Sequence, residues 1–483
     1  MESTIMPMGP VNMPAHDQSP EASARGFRRS IGLFPAVAIN MTQMCGIGPF
    51  ITIPAMIAAM NGPQAIFGWV VGAALAMADG LIWAELGAAM PGAGGTYVYL
   101  REAFQYRSGR LMPFLFVWTA ILAIPLTLST GLIGFVQYLG YFLPNLSWLH
   151  MHVLAVLLGV AVIFAIYRKV DSVKRITMVL WIVMLLAVAF TIGASFTDFH
   201  ANLAFEYPPG AFGFTSFFSG LGSGLIIAVY DYLGYNTTAY MGEELKEPGR
   251  VIPRSIIIAI LGMMAIYLPM NLGVIGTVPW KEAEHSNSVA TLVVTQNWGH
   301  TAAGIVTVLI LIAAFASIAM GLLGGCRVPY NAAQDGVFFK FFGRLHPKHG
   351  FPHVALLIMG AIMIFCSFFD FTTAISMLVS VTILIQALAQ VAAVSILRRR
   401  QPGLKRPYKQ WLYPVPSILA LIGWVYVYSS VDRFSIYMSI AWVIGGIAFF
   451  AIWASVTRIW PFGPREIREA YLDTQSSSSP PMK

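Results

Sequence analysis

Twelve apolar runs can be read along the chain, at about 31–60, 64–89, 112–142, 151–167, 176–196, 215–242, 254–277, 302–327, 352–370, 373–397, 413–431 and 436–457. Each is long enough to cross a bilayer as a helix, the fourth only just. Helices are required because the hydrocarbon interior has no water to satisfy backbone N–H and C=O groups. The first run begins near Ile31 and is too long for a signal peptide. The proline-rich stretch 1–24 and the segment Gln475 to Lys483, with four consecutive serines, read as disordered tails.

Composition supports a membrane protein. Of 483 residues, 57% are hydrophobic and 10% charged, and mean hydropathy is +0.71. A soluble domain has ~45–50% apolar and ~25% charged residues. A soluble enzyme, a disordered chain and a secreted disulfide scaffold are therefore excluded. Cys45, Cys326 and Cys366 lie inside or at the edge of apolar runs, so no disulfide framework is implied.

The net charge of +8 is a matter of topology. With the N-terminus in the cytoplasm, all but Lys281 and Arg433 of the 29 lysines and arginines fall on inner segments or tails. That bias fits the positive-inside rule and puts both termini in the cytoplasm, as an even number of spans requires. The basic excess faces an inner leaflet, and no nucleic acid is needed to explain it.

The first run is interrupted at Met44-Cys45-Gly46-Ile47-Gly48-Pro49-Phe50. Two glycines weaken the helix, and Pro49 lacks an N–H and disfavours helical geometry just before it. The pattern predicts two half-helices whose unwound joint aims free N–H groups and a positive dipole end at mid-membrane, where a carboxylate would bind. A simple packing kink is the plainer alternative. The sixth run has a weaker counterpart at Tyr230-Asp231-Tyr232-Leu233-Gly234-Tyr235-Asn236-Thr237-Thr238, with no proline to enforce it. The two runs are five apart, so the second set of five spans starts from the opposite face. Interrupted helices at matching places in inverted halves point to a transporter's central site.

Three carboxylates lie within the spans: Asp79, Glu85 and Asp231. Each needs a partner or a cavity, since a charge at a helix centre costs ~2.5–3.5 kcal/mol. Asp231 sits at the second break, where it could attract an ammonium group or carry a proton. Glu85, near the cytoplasmic end, reads as a loop anchor, and Asp79 is open between a structural and a functional role. Ser317 in the eighth run is a candidate sodium ligand beside the first break; a serine bonded to its own helix backbone is the alternative. His346, His349 and His353 have no cysteine or carboxylate beside them and are set aside as a metal site. Pro91 to Gly95 lacks the Lys-Ser/Thr and βαβ context of a phosphate loop.

Four motifs in order resemble those of the amino acid–polyamine–organocation (APC) superfamily of permeases. They are Gly46-Ile47-Gly48-Pro49-Phe50; Ala84-Glu85-Leu86-Gly87 followed by Pro91-Gly92-Ala93-Gly94-Gly95-Thr96-Tyr97-Val98-Tyr99; Glu244-Leu245-Lys246-Glu247-Pro248 with Ile252-Pro253-Arg254; and Arg327 to Gly336, ending Ala332-Ala333-Gln334-Asp335-Gly336. The resemblance implies an all-α membrane protein of twelve transmembrane helices, a 5+5 inverted repeat with helices 1 and 6 broken, and two additional C-terminal helices. It divides the chain into a cytoplasmic tail (1–29), a first repeat (30–200), an inverted second repeat (210–398), helices eleven and twelve (410–458) and a cytoplasmic tail (459–483).

By that resemblance the substrate carboxylate meets N–H groups around Cys45, Gly46, Ile47 and Gly48. The amino group meets carbonyls of Met41 and Thr42, then of Tyr230, Asp231 and Leu233. Tyr230 falls where related exchangers place a gating aromatic, and Asn236 where some place an acidic gate residue. Two departures matter. Thr177 through Thr191 contains no lysine, the coupling device of some proton-driven members. Tyr141 to His152 contains no cysteine, so no disulfide-linked partner subunit is expected.

The function implied is a multi-pass carrier in the cell membrane, moving amino acids by alternating access, and not an enzyme. Its partners are a small-molecule substrate and the lipid bilayer. No cofactor is implied, and H+ or Na+ stays open as coupling ion. Gly48-Pro49-Phe50 and Asp79 are closer to the polyamine-uptake branch, so a cationic-amine carrier of the same fold is the alternative.

Overall fold

The computed structural model describes residues 29–91, 95–167, 173–347 and 350–463. The tails expected at 1–24 and 475–483, Gly92 to Gly94 of the glycine-rich loop, and His349 lie outside the described residues. Among the described residues the chain is all-helical, apart from one isolated parallel bridge between Ile31 and Leu245.

The first apolar run forms α1 (Leu33–Met44) and α2 (Gly48–Met60), bent by 50° at the break. Pro49 sits in the first turn of α2, where its missing N–H costs nothing. Helix α3 (Ala65–Ala89) leads to α4 (Thr96–Ser108), then to α5 (Leu111–Leu139), α6 (Trp148–Ile166) and α7 (Val173–Thr197). The sixth run gives α8 (Phe214–Tyr232) and continues as two 3₁₀ turns, Thr237–Tyr240 and Gly242–Glu244, so no second α-helical half follows this break. Next come α9 (Pro248–Thr277), α10 (Val289–Gly325, kinked at Gly299), α11 (Arg327–Gln334) and α12 (His353–Cys366). The tenth run is α13 (Phe371–Thr382), a π-helical turn Ile383–Ala387 and α14 (Leu388–Arg400). Helices α15 (Val415–Ser429) and α16 (Arg433–Thr457) complete the order. Among the described residues, eight helices are long and apolar enough to cross a membrane, or nine with the bent pair α1/α2 taken as one span; Trp181–Thr197, His353–Cys366 and Val415–Ser430 are shorter apolar helices.

Polar contacts at the basic end tie the sequence motifs together. Ser30 and Ile31 donate their N–H groups to the Glu244 carbonyl at 3.0 and 3.1 Å, and Lys246 N–H returns to Ile31 O at 3.0 Å. Tyr97 donates to Asp335 Oδ2 at 2.9 Å, and Thr96 to Gln390 Oε1 at 2.8 Å. Burial, then the Asp335 carboxylate, push the Tyr97 hydroxyl above its usual range and keep it a donor.

Glu85 anchors a loop, as its position suggests. Arg398 grips it with two bonds of 2.7 and 2.5 Å, Arg406 lies 3.5 Å away, and Gln410 N–H donates at 2.8 Å. Glu85 is 1% exposed, so these donors replace its lost hydration. Removing one partner of such a buried pair costs about 3–5 kcal/mol, because the other charges stay buried and unmatched. Glu85→Gln is expected to lose about 3 kcal/mol of that and lower the apparent Tm of purified protein clearly. An unchanged melting temperature would mean the cluster adds nothing to stability.

Candidate substrate site

The two breaks meet. Helix α1 closes with Cys45 N–H on Met41 O at 2.8 Å, and α2 opens with Phe50 N–H on Ile47 O at 3.1 Å. Between them, the N–H groups of Gly46, Ile47 and Gly48 have no acceptor among the described residues. Unpaired N–H groups at a helix start are the kind of group that an anion can satisfy, which makes this stretch a candidate anion seat. Of the four N–H groups expected there, that of Cys45 is already engaged.

The second break lies directly against this seat. A Cβ built on Gly48 would stand 2.3 Å from Asp231 Oδ1 and 3.4 Å from Tyr230 Cε1. Gly234 has φ +115°, a conformation open mainly to glycine, and a Cβ there would lie 2.8 Å from Gln43 Cβ and 3.1 Å from Met44 N. Leu233, which ends α8, is extended, and its N–H reaches Val229 O and Tyr230 O at 3.0 and 3.1 Å. Tyr267 of α9 bridges both breaks: its hydroxyl is 2.8 Å from Met44 O and 2.9 Å from Asp231 O.

Asp231 is 1% exposed. Its Oδ2 accepts from Thr52 Oγ1 at 2.5 Å, while its Oδ1 has no partner among the described residues. A buried carboxylate oxygen without a donor is expensive unless a ligand or a proton satisfies it. Thr52 Oγ1 also lies 2.9 Å from Gly48 O. One hydroxyl proton cannot serve both acceptors fully, but a protonated Asp231 could donate to Thr52 and free Thr52 to donate to Gly48.

The remaining sequence candidates take definite places. Tyr230 bonds Thr130 of α5 at 2.7 Å and meets Phe371 of α13 edge-on at 6.2 Å, spanning from the break to two neighbouring helices. Ser317 lies beside the first break, its Oγ 2.8 Å from a Cβ built on Gly46. Met41 packs its side chain by Gly262, and Thr42 Oγ1 is turned back onto Ala38 O at 2.7 Å. Asn236 is half-buried before the first 3₁₀ turn, with its carbonyl accepting Ala239 N–H at 2.9 Å. Both oxygens of Asp79 are engaged by Tyr235 at 2.5 Å and Trp424 at 3.1 Å, apart from the Gly46–Gly48 seat.

Sequence patterns did not single out Thr52, Thr130, Tyr267 or Asn40. Asn40 of α1 accepts Thr238 N–H at 2.9 Å and donates to Thr238 Oγ1 at 3.2 Å, locking α1 to the turn after the second break. No group of three or more His, Cys, Asp or Glu able to hold a metal occurs among the described residues. Cys45, Cys326 and Cys366 are buried free thiols.

Phe371, which touches Tyr230, starts a helix capped by Asp370. Partial burial alone would raise that carboxyl, but bonds from Thr373 N–H, Thr373 Oγ1 and Thr372 Oγ1, each 2.8 Å, outweigh it and hold the group below the usual carboxylate range. A depressed folded-state value contributes stability above the unfolded value, and that stability is lost as pH falls through the folded one. Asp370→Ala is expected to cost about 1 kcal/mol near neutral pH. Its melting temperature should converge on that of the unsubstituted protein in acid; a gap independent of pH would contradict the cap.

Comparison with known proteins shows the family. A family model described as amino acid permease matches residues 31–464. The chain is 22% identical to a branched-chain amino acid permease of Bacillus subtilis over 451 residues, covering 89% of this chain and 94% of that one. It is 27% identical to a serine/threonine exchanger of Bacillus subtilis, covering 88% and 97%. It is 28% identical to Asc-type amino acid transporter 1 of Mus musculus, covering 83% and 76%. With a family match over most of its length and relatives of this kind, the chain belongs to the amino acid permease family of the APC superfamily.

Proposed function

We propose that the chain carries neutral amino acids across a membrane by alternating access, binding them as zwitterions between the two breaks. The observation that carries this is the juxtaposition of unpaired N–H groups at Gly46–Gly48 with the unpaired, buried Oδ1 of Asp231. The N–H groups suit a carboxylate, and the Asp231 carboxylate beside them suits an ammonium group. Two of the relatives are named for branched-chain amino acids and for serine and threonine, whose side chains are uncharged. The relatives reported are named for amino acids, and the cationic-amine alternative gains no support from them.

In this fold alternating access rests on an inverted repeat, and the packing supports one. Taking α1/α2 as one span and counting the shorter apolar helices gives twelve spans. Replacing each span by the one five places along reproduces the main contacts. Helix α1 packs on α9 as α8 packs on α3; α5 packs on α13 as α10 packs on α7; α5 packs on α12 as α10 packs on α6. Helices α15 and α16 add to this core through α3 and α8, and through α5 and α13. In this mechanism α1/α2, α3, α8 and α9 rock against the other helices while Tyr230 closes over the substrate. The hydrogen count around Thr52 favours a proton on Asp231 as the coupling ion, with Ser317 beside Gly46 as the place where sodium would bind instead.

The test is uptake by proteoliposomes under an imposed proton or sodium gradient. Leucine or serine should be taken up, should compete with each other, and should not be displaced by putrescine. Competition by putrescine without competition by neutral amino acids would refute the assignment.

A further inference from the structure

A cavity of about 230 Å³ opens at the basic end, between the start of α1 and the start of α9. Leu33, Lys246, Glu247, Arg250 and Arg254 are among the residues lining it. Three cations face one carboxylate, and Glu247 is matched to Arg250 at 3.3 Å. Lys246 and Arg254 are exposed and have no ion-pair partner among the described residues. The cavity thus holds an excess of positive charge.

What lies beyond it on α9 says what would neutralise that charge. Arg250, Arg254, Ile258 and Leu261 fall on one helical stripe, at steps of four, four and three. Ile258 and Leu261 are 43% and 49% exposed, and Phe34 near the start of α1 is 68% exposed. Cations at the end of the stripe give way directly to apolar surface. A free anion would use only the first part. An amphiphile with an anionic head and a hydrocarbon tail would use both.

We propose that this cavity and stripe bind an anionic phospholipid, its phosphate among Lys246, Arg250 and Arg254 and an acyl chain along Ile258 and Leu261. The site is built on the start of α1, because Ser30 and Ile31 pair with Glu244 and Lys246 pairs back with Ile31. An occupied site therefore holds the entry of the bent helix pair against α9. The inference concerns binding and stands whether or not the proposed substrate is right.

The experiment uses the full chain purified in neutral detergent and titrated with phosphatidylglycerol or phosphatidylcholine, read by thermal shift and by native mass spectrometry. Phosphatidylglycerol should bind and stabilise more strongly than phosphatidylcholine. In K246Q/R250Q/R254Q that preference should vanish, each lost cation weakening selective binding by roughly fivefold. The control K340Q/R344Q/R399Q removes three exposed cations elsewhere at the basic end and should retain the preference. Equal binding of the two lipids, or an equal loss in the control, would overturn the site. Reproduction of the whole stabilisation by inorganic phosphate alone would also overturn it, by showing that the tail stripe is not used. Should the triple variant misfold, R254Q alone is compared, with a roughly fivefold loss of preference expected and no loss contradicting the proposal.

Discussion

Gly48→Ala is expected to reduce amino acid uptake at least about 100-fold, the scale of loss from a misplacement of about 1 Å at a site. The added methyl would stand 2.3 Å from Asp231 Oδ1 and 3.4 Å from Asp231 Cγ. Asp231 has a short side chain anchored by Thr52, so it can yield only by giving up that bond. The seat would then lose the position of its acceptor as well as its free volume. Overpacking of this kind costs about 1–3 kcal/mol, so reduced expression is expected beside the loss of uptake. Gly445→Ala is the control, because a Cβ there meets nothing within 4 Å. Uptake per folded molecule is the quantity to compare. Undiminished uptake by Gly48→Ala would show that the contact between the two breaks is not used.

Asp231→Asn is expected to have an effect of similar size for a different reason. The amide has nearly the same shape and can still bond Thr52, so the fold should survive. It can neither carry a negative charge toward an ammonium group nor exchange a proton. Loss of roughly 100-fold or more in gradient-driven uptake, with binding of the folded protein to detergent and lipid unchanged, is the expected result. Thermal stability of the variant should match or exceed that of the parent, since a buried ionisable carboxylate is replaced by an uncharged amide of the same shape. Normal uptake driven by a proton gradient would exclude Asp231 as the coupling group.

How far these residues could be read from the chain depended on how local their signal was. Gly46-Ile47-Gly48-Pro49 marks its break by backbone chemistry alone, and the structure unwinds there. Tyr230 through Thr238 lacks a proline. Its break was therefore fainter, and its continuation as 3₁₀ turns and not as a second α-helix had no sequence mark. Gly234 combines a positive φ with no room for a Cβ, because Gln43 and Met44 of another segment lie against it. Asp79 could be recognised as a carboxylate in need of donors, but Tyr235 and Trp424 come from segments 156 and 345 residues away. Tyr267 and Thr52 were invisible for the same reason. A single hydroxyl in an apolar run has no periodicity, and its role appears only when the two breaks are brought against it. Glu85, by contrast, lies near the end of its run, where an anchoring role was legible, although its partner Arg398 is 313 residues away.

The central claim is that an amino acid occupies the space between the breaks, with its carboxylate on backbone N–H groups. The most direct measurement is a cryo-electron microscopy map of the protein with a transported neutral amino acid bound. The expected map shows the solute beside the two breaks, its carboxylate within hydrogen-bonding distance of the Gly46, Ile47 and Gly48 nitrogens. A map with the solute elsewhere, or with a continuous helix through Gly46 to Pro49, would contradict it.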